Sequence, residues 1–163
     1  MNKIGLLSDT HGYIDKKIIN FFSNCTEIWH AGDIGNIGIV DELSKICTFR
    51  GVHGNSDGND VRVEYKKHNR FLCEDIDVWI THIGGYPGNY SAEVKSSIFI
   101  KPPKLFISGH SHILKVMNDK KLKLLHINPG AAGNQGIHSI RTAVRFNIDK
   151  NNISELEILE IPR

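Results

Sequence analysis

Cysteine is scarce, with only Cys25, Cys47 and Cys73 in a chain of 163 residues. An odd number without a CxxC spacing argues against a disulfide framework and against a cysteine-type zinc site, so these thiols are expected to be reduced and buried. Long apolar runs are missing too: none approaches the roughly 18 residues of a membrane-spanning helix. The first apolar stretch, Ile4-Gly5-Leu6-Leu7, meets Asp9 almost at once. That is too soon for the core of a secretory signal, and a cytoplasmic protein with no membrane partner is expected. Excess charge is also absent, because Lys and Arg are dispersed and the net charge is +2, which leaves no footprint for nucleic acid. Lys66, Lys67 and Arg70, like Lys120, Lys121 and Lys123, read as solvated turns. There is no internal repeat, low-complexity tract or linker, and the length suits a single domain over residues 1–163 with a sizeable core.

Against this plain background, metal-ligand residues recur in five short clusters, each where a predicted strand gives way to a Gly-rich or polar turn. They are Asp9 and His11 in Ser8-Asp9-Thr10-His11, Asp33 after Gly32, Asn55 after Gly54, His82 after Thr81, and His110 and His112 in Gly109-His110-Ser111-His112. Divalent transition metals favour imidazole nitrogen and carboxylate or carbonyl oxygen. Seven such ligands build two four-coordinate sites if one carboxylate bridges, which points to a two-metal hydrolase. Residues two apart in extended chain project to the same side, so Asp9 with His11, and His110 with His112, are expected to face one cleft as pairs.

The first half alternates strand and helix patterns: strands over 3–8, 27–30 and 47–52, and helices over 15–23 and 37–44. This order implies parallel strands with right-handed crossovers, whose ligand sites lie beyond the carboxyl ends. In the second half, 64–68 and 71–74 read as a hairpin and 78–81 as a strand. A helix is predicted over 90–100, and further strands over 105–108, 113–118, 122–127, 142–148 and 155–161, with turns at 118–119 and 150–152.

The ordered set D-x-H, G-D, G-N, H and G-H-x-H resembles the calcineurin-like metallophosphoesterase superfamily. The small size and Asn128-Pro129-Gly130 resemble its YfcE-type phosphodiesterase branch, over about residues 3–148. The resemblance implies an α/β fold, a two-sheet mixed β-sandwich flanked by helices. It also implies two divalent ions per chain, with manganese the first choice and iron, nickel or zinc the others. Asp9, His11 and His112 would hold one ion, Asn55, His82 and His110 the other, and Asp33 would bridge. A metal-bridging hydroxide would be the nucleophile, with no covalently modified side chain. The ions outweigh Asp9, Asp33 and one hydroxide by about one positive charge, so a small anionic phosphate ester is the expected partner.

One departure stands out. Many members carry a proton-donating His after Gly-Asn, where this chain has Ser56 and then Asp57. A serine hydroxyl is a poor general acid at neutral pH. His138 is the candidate substitute, and Asn55 with Ser56 is the candidate substrate contact. His30 and His53 are either supports for nearby ligands or ordinary packing, and His68 and His126 are assigned no role. Gly84 to Gly88 is either the mouth of the site or a plain turn. A phosphodiesterase is the first reading, a phosphomonoesterase or nucleotidase the second, and a non-catalytic scaffold the third. The superfamily's vacuolar-sorting retromer subunit is such a scaffold and has altered ligands, whereas none of the seven is altered here. Homo-oligomerisation is left open.

Overall fold

The computed structural model describes residues 1–163. In chain order the elements are β1 (Asn2–Leu7), α1 (Lys16–Phe21), β2 (Glu27–His30), α2 (Ile37–Ser44), β3 (Thr48–Gly51), α3 (Asn59–Arg62), β4 (His68–Cys73), β5 (Ile76–Thr81), β6 (Gly85–Tyr86), β7 (Asn89–Tyr90), α4 (Ala92–Ile100), β8 (Leu105–Ile107), β9 (Leu114–Asp119), β10 (Leu124–Pro129), β11 (Ile140–Asp149) and β12 (Asn152–Pro162). They form two five-stranded mixed sheets, ordered β12-β11-β1-β2-β3 and β4-β5-β8-β10-β9, with β6-β7 as a separate small hairpin. No helix is long and apolar enough to cross a membrane.

Period-two alternation assigns each side chain to a layer. Ile4 and Leu6 of β1, Val78 and Ile80 of β5, and Leu105 and Ile107 of β8 fill the core between the sheets. Their neighbours face outward. Leu7 packs with Ile18, Phe22 and Leu43 beneath α1 and α2, while Trp79 and Phe106 pack with Val94 and Ile98 of α4. Asp15 caps α1 by accepting a 2.8 Å hydrogen bond from the Lys17 amide. Cys25 and Cys73 are buried and free, and burial pushes both thiols up to about 11, consistent with inert core residues, whereas Cys47, expected to be buried with them, is free but only half-buried.

Several predicted boundaries move. The hairpin expected from 64–68 and 71–74 is instead β4 with β5, turning at Glu74 and Asp75 with Cys73 opposite Ile76. Glu74 takes the left-handed conformation the turn needs, at φ 51°, and Arg70 clasps Asp77 across the pair at 2.7 Å. Residues 64–67 are drawn away by Tyr65, whose ring packs edge-on to Phe49 at 5.5 Å. The turn expected at 118–119 lies further on, because the Asp119 carboxylate accepts from the Tyr90 hydroxyl at 2.6 Å and from the Leu122 amide at 2.9 Å. Tyr90 belongs to β7, so the helix predicted from 90 starts at Ala92. The short helix α3 carried no sequence signal.

Two histidines are buried in this framework. His30 accepts from the Gly32 amide at Nδ1 and lies 2.9 Å from the Thr10 hydroxyl at Nε2, while His126 donates from Nδ1 to the Phe106 carbonyl at 3.2 Å. Burial holds both at about 4, well below the usual 6.5. A base depressed in the folded state contributes stability that is present above its unfolded value and is lost as pH falls towards its folded value. Thermal melts should therefore show stability falling steeply between about pH 6.5 and 4, and a His126→Leu variant that still folds should have a shallower slope there. A flat profile over that window would contradict the neutral, buried assignment.

Candidate metal centre

Every predicted ligand sits beyond a strand end. In one sheet, Asp9 and His11 follow β1, Asp33 follows β2 and Asn55 follows β3. In the other, His82 follows β5, and His110 and His112 follow β8. Loops from both sheets therefore meet at one edge. The Asp9 amide donates to the Gly32 carbonyl and the His11 amide to the Asp33 carbonyl, both at 3.0 Å, while the Gly109 amide donates to the His82 carbonyl at 2.9 Å.

Two three-residue groups result, each with ligand atoms within 4.8 Å of one another: Asp9, His11 and His112, and Asp33, His82 and His110. The two close pairs divide differently between these groups. Asp9 and His11 do share a group, but His110 and His112 separate into different groups. The chain is not extended at these positions. Asp9, His11, Asp33, His110 and His112 all have positive φ, between 47° and 70°. Such conformations cost of order 1–3 kcal/mol each for non-glycine residues and cluster at functional sites.

The carboxylates are each half tied down by the protein. Asp9 Oδ2 accepts from the Ser8 hydroxyl at 2.6 Å and from the His110 amide at 3.1 Å, and Asp33 Oδ1 accepts from the Ser56 amide at 2.9 Å. The other oxygens face imidazoles: Asp9 Oδ1 lies 3.1 Å from His112 Nε2, and Asp33 Oδ2 lies 3.1 Å from His82 Nε2. His82 Nδ1 donates to the Ala31 carbonyl at 2.7 Å, which leaves Nε2 to carry a lone pair when the ring is neutral. Close as they are, Asp9 Oδ1 and His82 Nε2 have no aligned hydrogen-bond partner, although both are buried. Burial alone would raise Asp33, but His82, the Ser56 amide and His11 together hold it at about 2. Burial opposes charge on His82 as well, yet Asp33 and Asp9 prevail and raise it. The same balance lowers Asp9, where burial is outweighed by His112, His82 and Ser8.

The glycines before Asn55 and His110 have a steric reason. A Cβ on Gly54 would lie 2.1 Å from Asp33 Oδ1, and one on Gly109 would lie 2.1 Å from Ser8 Oγ and 3.0 Å from Asp9 Oδ2. Gly109→Ala should therefore push the two sheets' loops apart, at a cost of about 1–3 kcal/mol for overpacking and about 10–100-fold in metal affinity through displaced supports. Denaturant melts and metal titration check this, and a substitution neutral in both would contradict the close fit.

The profile describing a calcineurin-like phosphoesterase superfamily domain matches residues 2–151. The chain belongs to that superfamily. Over 135 residues it is 27% identical to a "Probable metallophosphoesterase" from Methanothermobacter thermautotrophicus, covering 78% of this chain and 76% of that one. An archaeal phosphodiesterase shares the fold with TM-score 0.74 and 23% identity over 96% of this chain and 99% of that one. Vps29 from Entamoeba histolytica, complexed with zinc, does so with TM-score 0.75 and 12% identity over 98% of each chain. At these identities the solved structures establish the metallophosphoesterase fold.

As in other calcineurin-like phosphoesterases, the donor set suits divalent metal ions: carboxylate oxygens and imidazole nitrogens converge, and two of them are buried without partners. Asn55 is exposed at the rim, in a cleft it shares with His53, Arg62 and His82. Ser56 contributes its amide to Asp33, and its exposed hydroxyl lies 3.5 Å from Asn55 Nδ2. His138 packs edge-on to His112 at 5.1 Å. Its Nε2 donates to the Gly133 carbonyl at 2.8 Å and its Nδ1 is buried, so neither nitrogen presents a proton to solvent. His30 supports the loop before Asp33 through the Gly32 amide. His53 lies 2.8 Å from the Tyr65 carbonyl and helps hold residues 64–67.

Asp57 was legible only as part of a departure from the motif. The structure makes it a clasp, accepting from the amides of Gly54 and Gly35 at 2.8 Å and of Ile34 at 3.2 Å. It ties the Asp33 and Asn55 loops together. Ser8 and the Ala31 carbonyl, which orient Asp9 and His82, gave no sequence signal beyond adjacency to ligands.

Proposed function

We propose that the protein is a metal-dependent phosphodiesterase with a dinuclear centre, manganese being preferred over iron, nickel or zinc. Asp9, His11 and His112 would hold one ion and Asn55, His82 and His110 the other, with Asp33 shared by both. The observation that carries this reading is the pair of adjacent triads, in which the buried Asp9 Oδ1 and His82 Nε2 converge with the other donors yet have no aligned hydrogen-bond partner. Two bound divalent ions supply an activated water at neutral pH and neutralise charge on the phosphoryl oxygens.

The chain's own groups do the positioning. Ser8 and the His110 amide fix Asp9, the Ser56 amide fixes Asp33, and the Ala31 carbonyl sets the tautomer of His82. Both sheets contribute ligands, which favours residues 1–163 acting as one unit. A diester is favoured because no strong acid stands beside Asn55 to protonate a poor leaving group, and because a solved archaeal phosphodiesterase shares this fold. The intact set of seven ligands favours catalysis over a scaffold role.

The test is hydrolysis of bis(4-nitrophenyl) phosphate and 4-nitrophenyl phosphate by chelator-treated protein resupplied with manganese, nickel or zinc. Metal-dependent turnover is expected, with kcat/KM for the diester at least about tenfold higher. Preference for the monoester would move the assignment to a phosphatase, and absence of turnover with any metal would overturn the enzymatic reading.

A further inference from the structure

Beside the candidate metal centre lies a cavity of about 390 Å³, bordered by Gly109, His110 and Ser111 on one side and by Tyr86 of the β6-β7 hairpin on the other. Its volume is in the range of pockets that hold small organic ligands. Ile83, Ile113 and Tyr90 give it apolar and aromatic walls. Most of its polar side chains are already engaged. Asn128 donates to the Gly109 carbonyl and to Ser111 Oγ and accepts from the Gly130 amide. The Tyr90 hydroxyl is held by Asp119, and the Lys115 ammonium sits 3.8 Å over the Tyr86 ring.

His126 is the exception. It lines the same cavity from β10, is fully buried, and its Nε2 has no partner. Because Nδ1 donates to the Phe106 carbonyl, the neutral ring carries its proton on Nδ1 and offers Nε2 only as an acceptor. Burial, aided by Lys115, keeps the ring neutral near pH 7. An unmet buried acceptor costs free energy that a matching donor recovers. The cavity thus combines aromatic walls with one acceptor, and Lys115 makes it inhospitable to a cation.

We propose that this cavity seats the non-leaving ester group of the substrate, and that the group it selects is a flat aromatic ring bearing an uncharged O–H or N–H donor for His126 Nε2. The proposal rests on the phosphodiester reading, since the cavity opens beside His110 and a phosphate at the centre would direct one substituent into it. His126 acts here as a specificity residue and takes no part in bond cleavage.

Two measurements test it separately from that reading. The first compares 3-hydroxyphenyl and phenyl 4-nitrophenyl phosphates, which share a leaving group, with manganese-loaded protein. The wild type should favour the hydroxyphenyl ester by about tenfold in kcat/KM, mainly through KM, as one hydrogen bond to a buried acceptor warrants. His126→Leu should bring the ratio to about one, and His126→Gln, which keeps an acceptor, should restore part of it. Should the His126 variants fail to fold, Ala92→Trp, at an exposed helix position lining the cavity, should instead lower kcat/KM for the hydroxyphenyl ester relative to methyl 4-nitrophenyl phosphate, whose small substituent does not fill the cavity. The second measurement needs neither metal nor turnover: phenol and toluene are titrated into wild-type protein while the His126 ring nitrogens are followed by NMR. Phenol should bind more tightly and shift Nε2. Equal affinities with no shift at Nε2, or equal turnover of the hydroxyphenyl and phenyl esters, would overturn the proposal. If phenol binds as expected while no diester is hydrolysed with any metal, the cavity assignment stands and the phosphodiesterase reading falls.

Discussion

Asp33→Asn is expected to lower metal content at both groups together and to reduce kcat/KM by about 10³-fold or more. Asp33 Oδ2 lies 3.1 Å from His82 Nε2 in one group and 3.7 Å from His11 Nε2 in the other, so the charge lost belongs to both. Metal stabilisation of transition-state charge is worth several kcal/mol, and each decade of rate corresponds to about 1.4 kcal/mol. The substitution is nearly isosteric, and the Ser56 amide, which reaches Oδ1 at 2.9 Å, can still donate to the amide oxygen, so the loop should keep its shape. His112→Ala is the companion, because His112 stands in the Asp9 group alone and should deplete mainly one ion. Elemental analysis of both variants decides the matter. Two ions per chain retained by Asp33→Asn would remove the shared role assigned to this carboxylate.

Stripping the metal should lower the melting temperature by about 10–20 °C, and the difference between loaded and stripped protein should widen from pH 6 to pH 8. A ligand at about 100 times its Kd stabilises by about 2.7 kcal/mol, two ions together by about 5 kcal/mol, and each kcal/mol is worth about 2–4 °C in a chain of this size. The pH dependence follows from His82, whose affinity for protons is raised in the metal-free fold despite its burial, because Asp33 and Asp9 outweigh that effect. Its contribution is fully present below the unfolded value of about 6.5 and is lost as pH rises through the raised value. The stripped protein then holds two buried carboxylates, Asp9 and Asp33, with less positive charge between them. Metal binding has the opposite sign, since a ligating imidazole must be unprotonated. Scanning calorimetry at both pH values, with and without chelator, tests this. A gap that stays constant or narrows would show that His82 does not compete with metal for the same lone pair.

The sequence by itself carried the order of the five ligand clusters, the strands that precede them and the layered α/β architecture. These are local properties. The apolar runs Val78-Trp79-Ile80 and Leu105-Phe106-Ile107 mark strands buried on both faces, and a glycine before Asp33, Asn55 and His110 marks where the backbone must turn closely. The missing acid at Ser56 was equally plain, because it is a substitution within a motif.

Tertiary structure alone decided how the ligands are held. The family resemblance already assigned His110 and His112 to different ions, but only the fold shows the left-handed conformation that each adopts, which period-two reasoning does not foresee. Contacts across the molecule hold them there. Asp9 reaches the His110 amide 101 residues away, and Asp57 gathers amides from the loop after β2. His126 is the clearest case. Nothing in its strand distinguishes it from a packed core residue, and its unpaired nitrogen becomes meaningful only when the β6-β7 hairpin, β9 and the Gly109 turn close a cavity around it. Local pattern fixes what a residue is and which way its strand faces, but whether a buried polar atom is satisfied depends on partners brought together from distant parts of the chain.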